Sequence, residues 1–89
     1  MGLANLTILT ASSTTDVASI AANAEQEFNI TVNGANTGSV VVVSAPSLES
    51  GGVATGYVSA ADTVTVRVSN VTEIALDPAS QTFYVAVIQ

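Results

Sequence analysis

The sequence predicts an all-β fold: a small single-domain antiparallel β-sandwich or barrel of about six to seven strands, with an N-terminal arm. Three observations carry that prediction. First, Val64, Val66 and Val68 alternate with Thr65, Arg67 and Ser69, and a period of two puts the valines on a buried face and the polar residues on the other. Second, turn chemistry recurs along the chain, at Asn33-Gly34, Pro46, Gly51-Gly52 and Asp77-Pro78. Third, two runs, Val40–Val43 and Thr82–Ile88, are apolar on both faces, as expected of strands covered on both sides by a second layer or another subunit.

Taken in order, Leu3 to Leu9 is an apolar-rich arm or edge strand, and Ser12 to Asp16 has the composition of a loop, so residues 1–15 are assigned to arm and loop within one domain spanning 1–89. Val17 to Ala24 has helical spacing at Val17, Ile20, Ala21 and Ala24, with Asp16 placed to cap it. In a chain otherwise all-β, a short strand running into a turn is the expectation. Glu27 to Val32 alternates cleanly, with Phe28, Ile30 and Val32 facing inward, and Asn33-Gly34 then turns the chain. The valine run ends at Pro46, and Ser47 to Gly52 forms a loop. A hairpin follows from Val53 to Asn70, turning at Ala60-Ala61-Asp62. After Ile74, Leu76 and the Asp77–Ser80 turn, the last strand carries Phe83, Val85 and Val87 on one face and Tyr84, Ala86 and Ile88 on the other.

An 89-residue chain buries only about 60–65% of the surface its unfolded form exposes, so its core is thin. Small scaffolds usually add disulfides, a metal or a partner subunit. This chain has no Cys and no His, which removes disulfides and the commonest metal ligands and leaves self-association as the remedy. Arg67 is the single basic residue against seven carboxylates, for a net charge of −6. Nucleic acid and anionic membrane surfaces are therefore poor partners, because both need clustered Lys or Arg. No apolar run approaches the roughly 20 residues of a membrane span, and no basic stretch precedes an apolar one as in a signal peptide. Met1-Gly2 is not followed by Ser or Thr at position 6, where Leu6 stands, so myristoylation is not expected.

Catalytic triads of the Ser-His-Asp or Cys-His kind are excluded by the missing residues. Asp62, Glu73 and Asp77 near strand ends are the remaining acid–base candidates, but each lies beside a turn, where carboxylates are ordinarily solvated. Asp62, Asp77 and Glu49 could converge on calcium, yet no spaced Asp-x-Asp-x-Asp loop is present. The expectation is a chain with no enzyme activity, no cofactor and no metal. Three glycosylation sequons, at Asn5, Asn29 and Asn70, are accidents of an Asn- and Thr-rich composition. Arg67, on the polar face of the best strand, is placed to pair with a carboxylate across strands or subunits, or to cover apolar surface with its stem.

The stretch Tyr57-Val58-Ser59-Ala60-Ala61-Asp62-Thr63-Val64-Thr65-Val66-Arg67-Val68-Ser69-Asn70, continued by Ile74-Ala75-Leu76-Asp77-Pro78-Ala79-Ser80-Gln81-Thr82-Phe83-Tyr84-Val85, resembles small β-rich virion structural proteins of tailed bacteriophages. Ser19 to Ala24, followed by a strand and Asn33-Gly34, is similar to them too. The resemblance implies a capsid decoration (cement) protein, a homotrimer on the outer surface of the phage head that bridges subunits of the major capsid protein. The absence of Lys and the apolar Leu3–Leu9 segment depart from that pattern. The expected interface residues are Leu3, Leu6, Ile8 and Leu9 in the arm, Val41, Val43, Tyr84 and Ile88 in the doubly apolar strands, and Tyr57 and Arg67 in the hairpin. The alternatives are an immunoglobulin-like surface- or receptor-binding module using the loops Asn33–Gly38 and Ser47–Gly52, and a head–tail joining or tail-tube component.

Overall fold

A computed structural model describes residues 6–48 and 50–89. Six strands form two three-stranded antiparallel sheets. β1 (Ile8–Thr15), β6 (Gln81–Ile88) and β3 (Val40–Ser44) make the first, in the order β1-β6-β3. β2 (Glu25–Thr31), β5 (Thr63–Asn70) and β4 (Gly52–Ala60) make the second, in the order β2-β5-β4. Only the β4–β5 hairpin stays within one sheet; every other connection crosses between layers. That is the all-β sandwich the alternation predicts.

The two central strands carry the core. Phe83, Val85 and Val87 on β6 face Val64, Val66 and Val68 on β5, and all six are buried. Phe28 of β2 meets Phe83 edge-on across the layers, with ring centroids 4.9 Å apart and planes at 66°, a favoured arrangement for aromatic pairs. The layers close along one side, where β3 lies over β4. Gly56 makes this possible: a Cβ there would stand 2.8 Å from Val43 Cγ2 and 3.0 Å from Val41 Cγ1.

Several sequence expectations change. Ser12 to Thr15 are not loop but the second half of β1, paired with Tyr84 to Gln81. Hydroxyl residues suit an edge strand whose backbone is held by a central partner. Val17 to Ala24 contributes one bridge, Ile20 to Leu76, rather than a strand, although Val17 and Ile20 are both buried. Within the chain the valine run is an edge strand covered on one face only, with no second layer of its own over the other: Val41 and Val43 pack against the core while Val40 and Val42 are exposed. Leu3 lies outside the described residues, and Glu49 does too.

Amide side chains anchor the crossing connections. Asn70 is buried; its Nδ2 donates to the carbonyls of Ile20 (3.1 Å), Ala21 (3.2 Å) and Ile74 (2.7 Å), and its Oδ1 accepts from the Thr72 N–H (2.9 Å) and hydroxyl (2.6 Å). An amide so committed is not a glycosylation acceptor; it adds a second bond to the Ile20 and Ala21 carbonyls, which already accept the Leu76 and Ala24 N–H groups, and ties the irregular segments on either side of it together. Gln81 Oε1 accepts from the Ser47 N–H at 2.9 Å. At the other end of β6, Gln89 accepts from the Asn36 N–H and the Ser39 hydroxyl and donates to the Gly34 carbonyl. Asp62, in the left-handed region at φ 63°, accepts from the Gly34 N–H at 2.7 Å. Among the described residues no buried side-chain nitrogen or oxygen lacks a partner.

Candidate functional site: the open face of the β1-β6-β3 sheet

A three-stranded sheet has two faces, and strand register decides which residues share each one. On the first sheet the inward set is Leu9, Ala11, Val41 and Val43 around Phe83, Val85 and Val87. The outward set forms rows across the strands: Ile8, Ile88 and Val40; then Thr10, Ala86 and Val42; then Ser12, Tyr84 and Ser44; then Thr14 and Thr82. Ile8 is 58% exposed, Val40 60%, Val42 54% and Tyr84 52%. Four of the nine large hydrophobic residues left exposed among the described residues thus share this face, while Val71 and Ile74 are exposed in the connection to β6.

The face carries no charge. None of the seven carboxylates and not the single Arg falls on β1, β3 or β6. Its polar groups are hydroxyls, and Thr14 and Thr82 bond to each other across the strands at 2.9 Å. Near its middle lies a shallow open depression lined by Thr10, Ala11 and Ser12 of β1, Val42 and Ser44 of β3, and Tyr84, Val85 and Ala86 of β6. It lacks any titratable group besides the Tyr84 phenol.

The outward face of the second sheet is its opposite. Arg67 Nε donates to Glu27 Oε2 at 2.8 Å and lies 2.9 Å from Glu25 Oε2, with Nη2 2.7 Å from Glu27. The hydrogen bond to Glu27 raises the Arg67 pKa, and the charge of Glu25 adds to it. One row away, the Thr65 hydroxyl donates to Asn29 Oδ1 at 2.8 Å and lies 2.7 Å from the Ser59 hydroxyl. Tyr57, 49% exposed, stands beside this group on the edge strand β4.

The predicted interface residues therefore scatter. Ile8, Tyr84 and Ile88 share the open face, and Leu6 is exposed just ahead of β1. Leu9, Val41 and Val43 point into the sandwich instead, because register with Val87 and Val85 on β6 turns them inward. Tyr57 and Arg67 belong to the opposite sheet, and Arg67 is taken up by carboxylates of its own chain. Thr10 is the residue that sequence reasoning missed, and Val40, Val42 and Ala86 lie in the doubly apolar strands it named though not among its expected interface residues. A run of identical valines has no alternation, so its phase is set by the partner strand alone. Among the described residues no three carboxylates come together as a metal site, and Asp62 is engaged by the Gly34 N–H.

The loops Asn33–Gly38 and Ser47–Gly52, the contact sites of the alternative reading, are anchored at opposite ends of β6. The connection through Asn36 is held by Gln89, whereas the one through Ser47 is held by Gln81 at the far end of β6. Comparison with protein-family models, with curated proteins and with solved structures finds no match.

Proposed function

We propose that this chain is a structural binding module, a decoration protein of a tailed-phage head that stabilises the shell by docking and carries out no chemistry. The observation that supports it is the uncharged apolar face of the β1-β6-β3 sheet in a chain of net charge −6. The virion as its place rests on the resemblance of the Tyr57–Asn70 and Ile74–Val85 stretches. In this reading the open face joins copies of the chain to one another, which offsets the thin core of a small domain. The segment ahead of β1, marked by the exposed Leu6, engages the shell by filling a groove or adding to a sheet edge. Binding to assembled shell and not to free subunits shifts the equilibrium toward the assembled state, and many copies make weak single contacts sufficient.

The test is co-sedimentation of the purified chain with heads assembled from the major capsid protein encoded beside it. Co-sedimentation is expected for the full chain and its loss for a variant lacking residues 1–6. That deletion stops short of the Thr7–Gln89 backbone pair and of Ile8 and Leu9 in β1, so the fold should persist. A full chain that stays in the supernatant, or a gene with no capsid gene as neighbour, would contradict the reading.

A further inference from the structure

We propose that two copies of the chain pack face to face through β1, β6 and β3 about a twofold axis, each Tyr84 ring seated in the hollow over Ala86 of the other copy. Charge selects the face. Two copies that each carry −6 repel, and bringing Glu25 and Glu27 of one against those of the other would add like-charge contacts to that repulsion. The first sheet offers a surface free of charge on all three strands, so the carboxylates remain on the far sheet and in the connections, in water.

Area fits the same occupant. Ile8, Val40, Val42 and Tyr84 are each more than half exposed, and Thr10, Ser12, Thr14 and Ser44 between them are exposed too, so two copies of this face match in extent and cover one another, as a standard stable interface of ~800 Å² per partner requires.

Shape supplies the geometry. Tyr84 and Ala86 are two residues apart on the central strand, so they project from one face about 6.6 Å apart along it. One is the largest outward side chain of the strand and the other the smallest, and both line the depression. A twofold axis passing between them sets knob on hollow twice, since in an isologous contact residue i meets j and j meets i. Thr10, Ser12 and Ser44 line the hollow and offer hydroxyl partners to the incoming phenol, as a buried Tyr O–H requires. The same operation puts the two Leu6 residues at opposite ends of the pair, one for each of two neighbouring shell subunits.

This pairing rests on the reading of the chain as a self-associating virion module, with a twofold pair in place of the homotrimer that the resemblance implies, and its test needs no virion. Sedimentation velocity on the full chain, from micromolar to submillimolar concentration, should show a species of twice the monomer mass. Ala86→Glu fills the hollow with a charge and should raise the dissociation constant by about 100-fold or more. Val42→Lys, at an exposed site on edge strand β3, should act in the same direction, and Thr55→Lys on the far sheet should leave the pair intact. Circular dichroism of each variant reports whether it has folded. A monomer throughout the range, a trimer, or pairing that survives both Ala86→Glu and Val42→Lys in folded protein would overturn the proposal. So would dissociation by Thr55→Lys. A pair that forms yet does not bind heads would overturn the virion reading and leave the pairing standing.

Discussion

The two outward faces of the sandwich are built alike, each from a central eight-residue strand between two edges, and they differ in what their side chains have to bind. On β2, β5 and β4 the polar groups answer one another: Arg67 is held by Glu25 and Glu27, and Thr65 by Asn29 and Ser59. On β1, β6 and β3 the outward valines, isoleucines and Tyr84 meet no side chain that covers them, and the hydroxyls between them carry no charge. A surface whose polar groups are already paired loses those pairs or gains little when another protein covers it. A neutral apolar surface gains about 25 cal/mol for each Å² removed from water. One face of this protein is finished and the other is unfinished, and the position of the few charges decides which is which.

The comparison is sharpened by substitutions that separate inward from outward roles. The inward sides of the two sheets should be equivalent, and breaking either should have the largest effect. Phe83→Ala on β6 removes a fully buried ring that also contacts Phe28, at a cost of about 3–5 kcal/mol in unfolding free energy. In a domain with a total of roughly 5–15 kcal/mol, that puts the chain near its folding threshold, as a chemical denaturation curve would show. Retention of nearly full stability would mean that Phe83 is not the centre of the core.

Asn70→Ala comes next. It removes one of two partners from each of the Ile20, Ala21 and Ile74 carbonyls, which keep the Leu76 N–H, the Ala24 N–H and the Thr72 hydroxyl, and it takes the acceptor from the Thr72 N–H; an unsatisfied donor is expensive. The expected loss is about 1–2 kcal/mol, with early local opening of the segments on either side of Leu76 seen by hydrogen exchange. A loss confined to a few tenths of a kcal/mol would show that water replaces the amide without penalty.

The smallest effect belongs to the finished face. Arg67→Met leaves Glu25 and Glu27 as unneutralised neighbours on an exposed surface, so stability should fall slightly, and the difference from wild type should shrink as salt screens both charges. A large, salt-independent loss would mean that the Arg67 stem, and not its charge, holds that face together.

The sequence made the strands with clean alternation legible, because Val64, Val66 and Val68 or Phe28 and Ile30 state their own phase. It was less legible where local pattern is silent. Val40 to Val43 look the same from either side, and only pairing with β6 sends Val41 and Val43 inward. Ser12 to Thr15 have turn chemistry, yet they continue β1 because a central strand of matching length runs beside them. Val17 and Ile20 are buried by tertiary contact without forming a strand. The open face itself could be read only in half. Tyr84, Ala86 and Ile88 were visible from their own strand, whereas Thr10 and Val42 become their neighbours through register alone.

The measurement that bears most directly on the difference between the faces is a dilution series followed by two-dimensional amide NMR. Concentration-dependent shifts are expected at Ile8, Thr10, Val40, Val42, Tyr84 and Ala86, with Val53, Thr55, Tyr57 and Arg67 unchanged. Shifts centred on the Arg67 side, or spectra that do not change with concentration at all, would contradict the assignment of the β1-β6-β3 face as the docking surface.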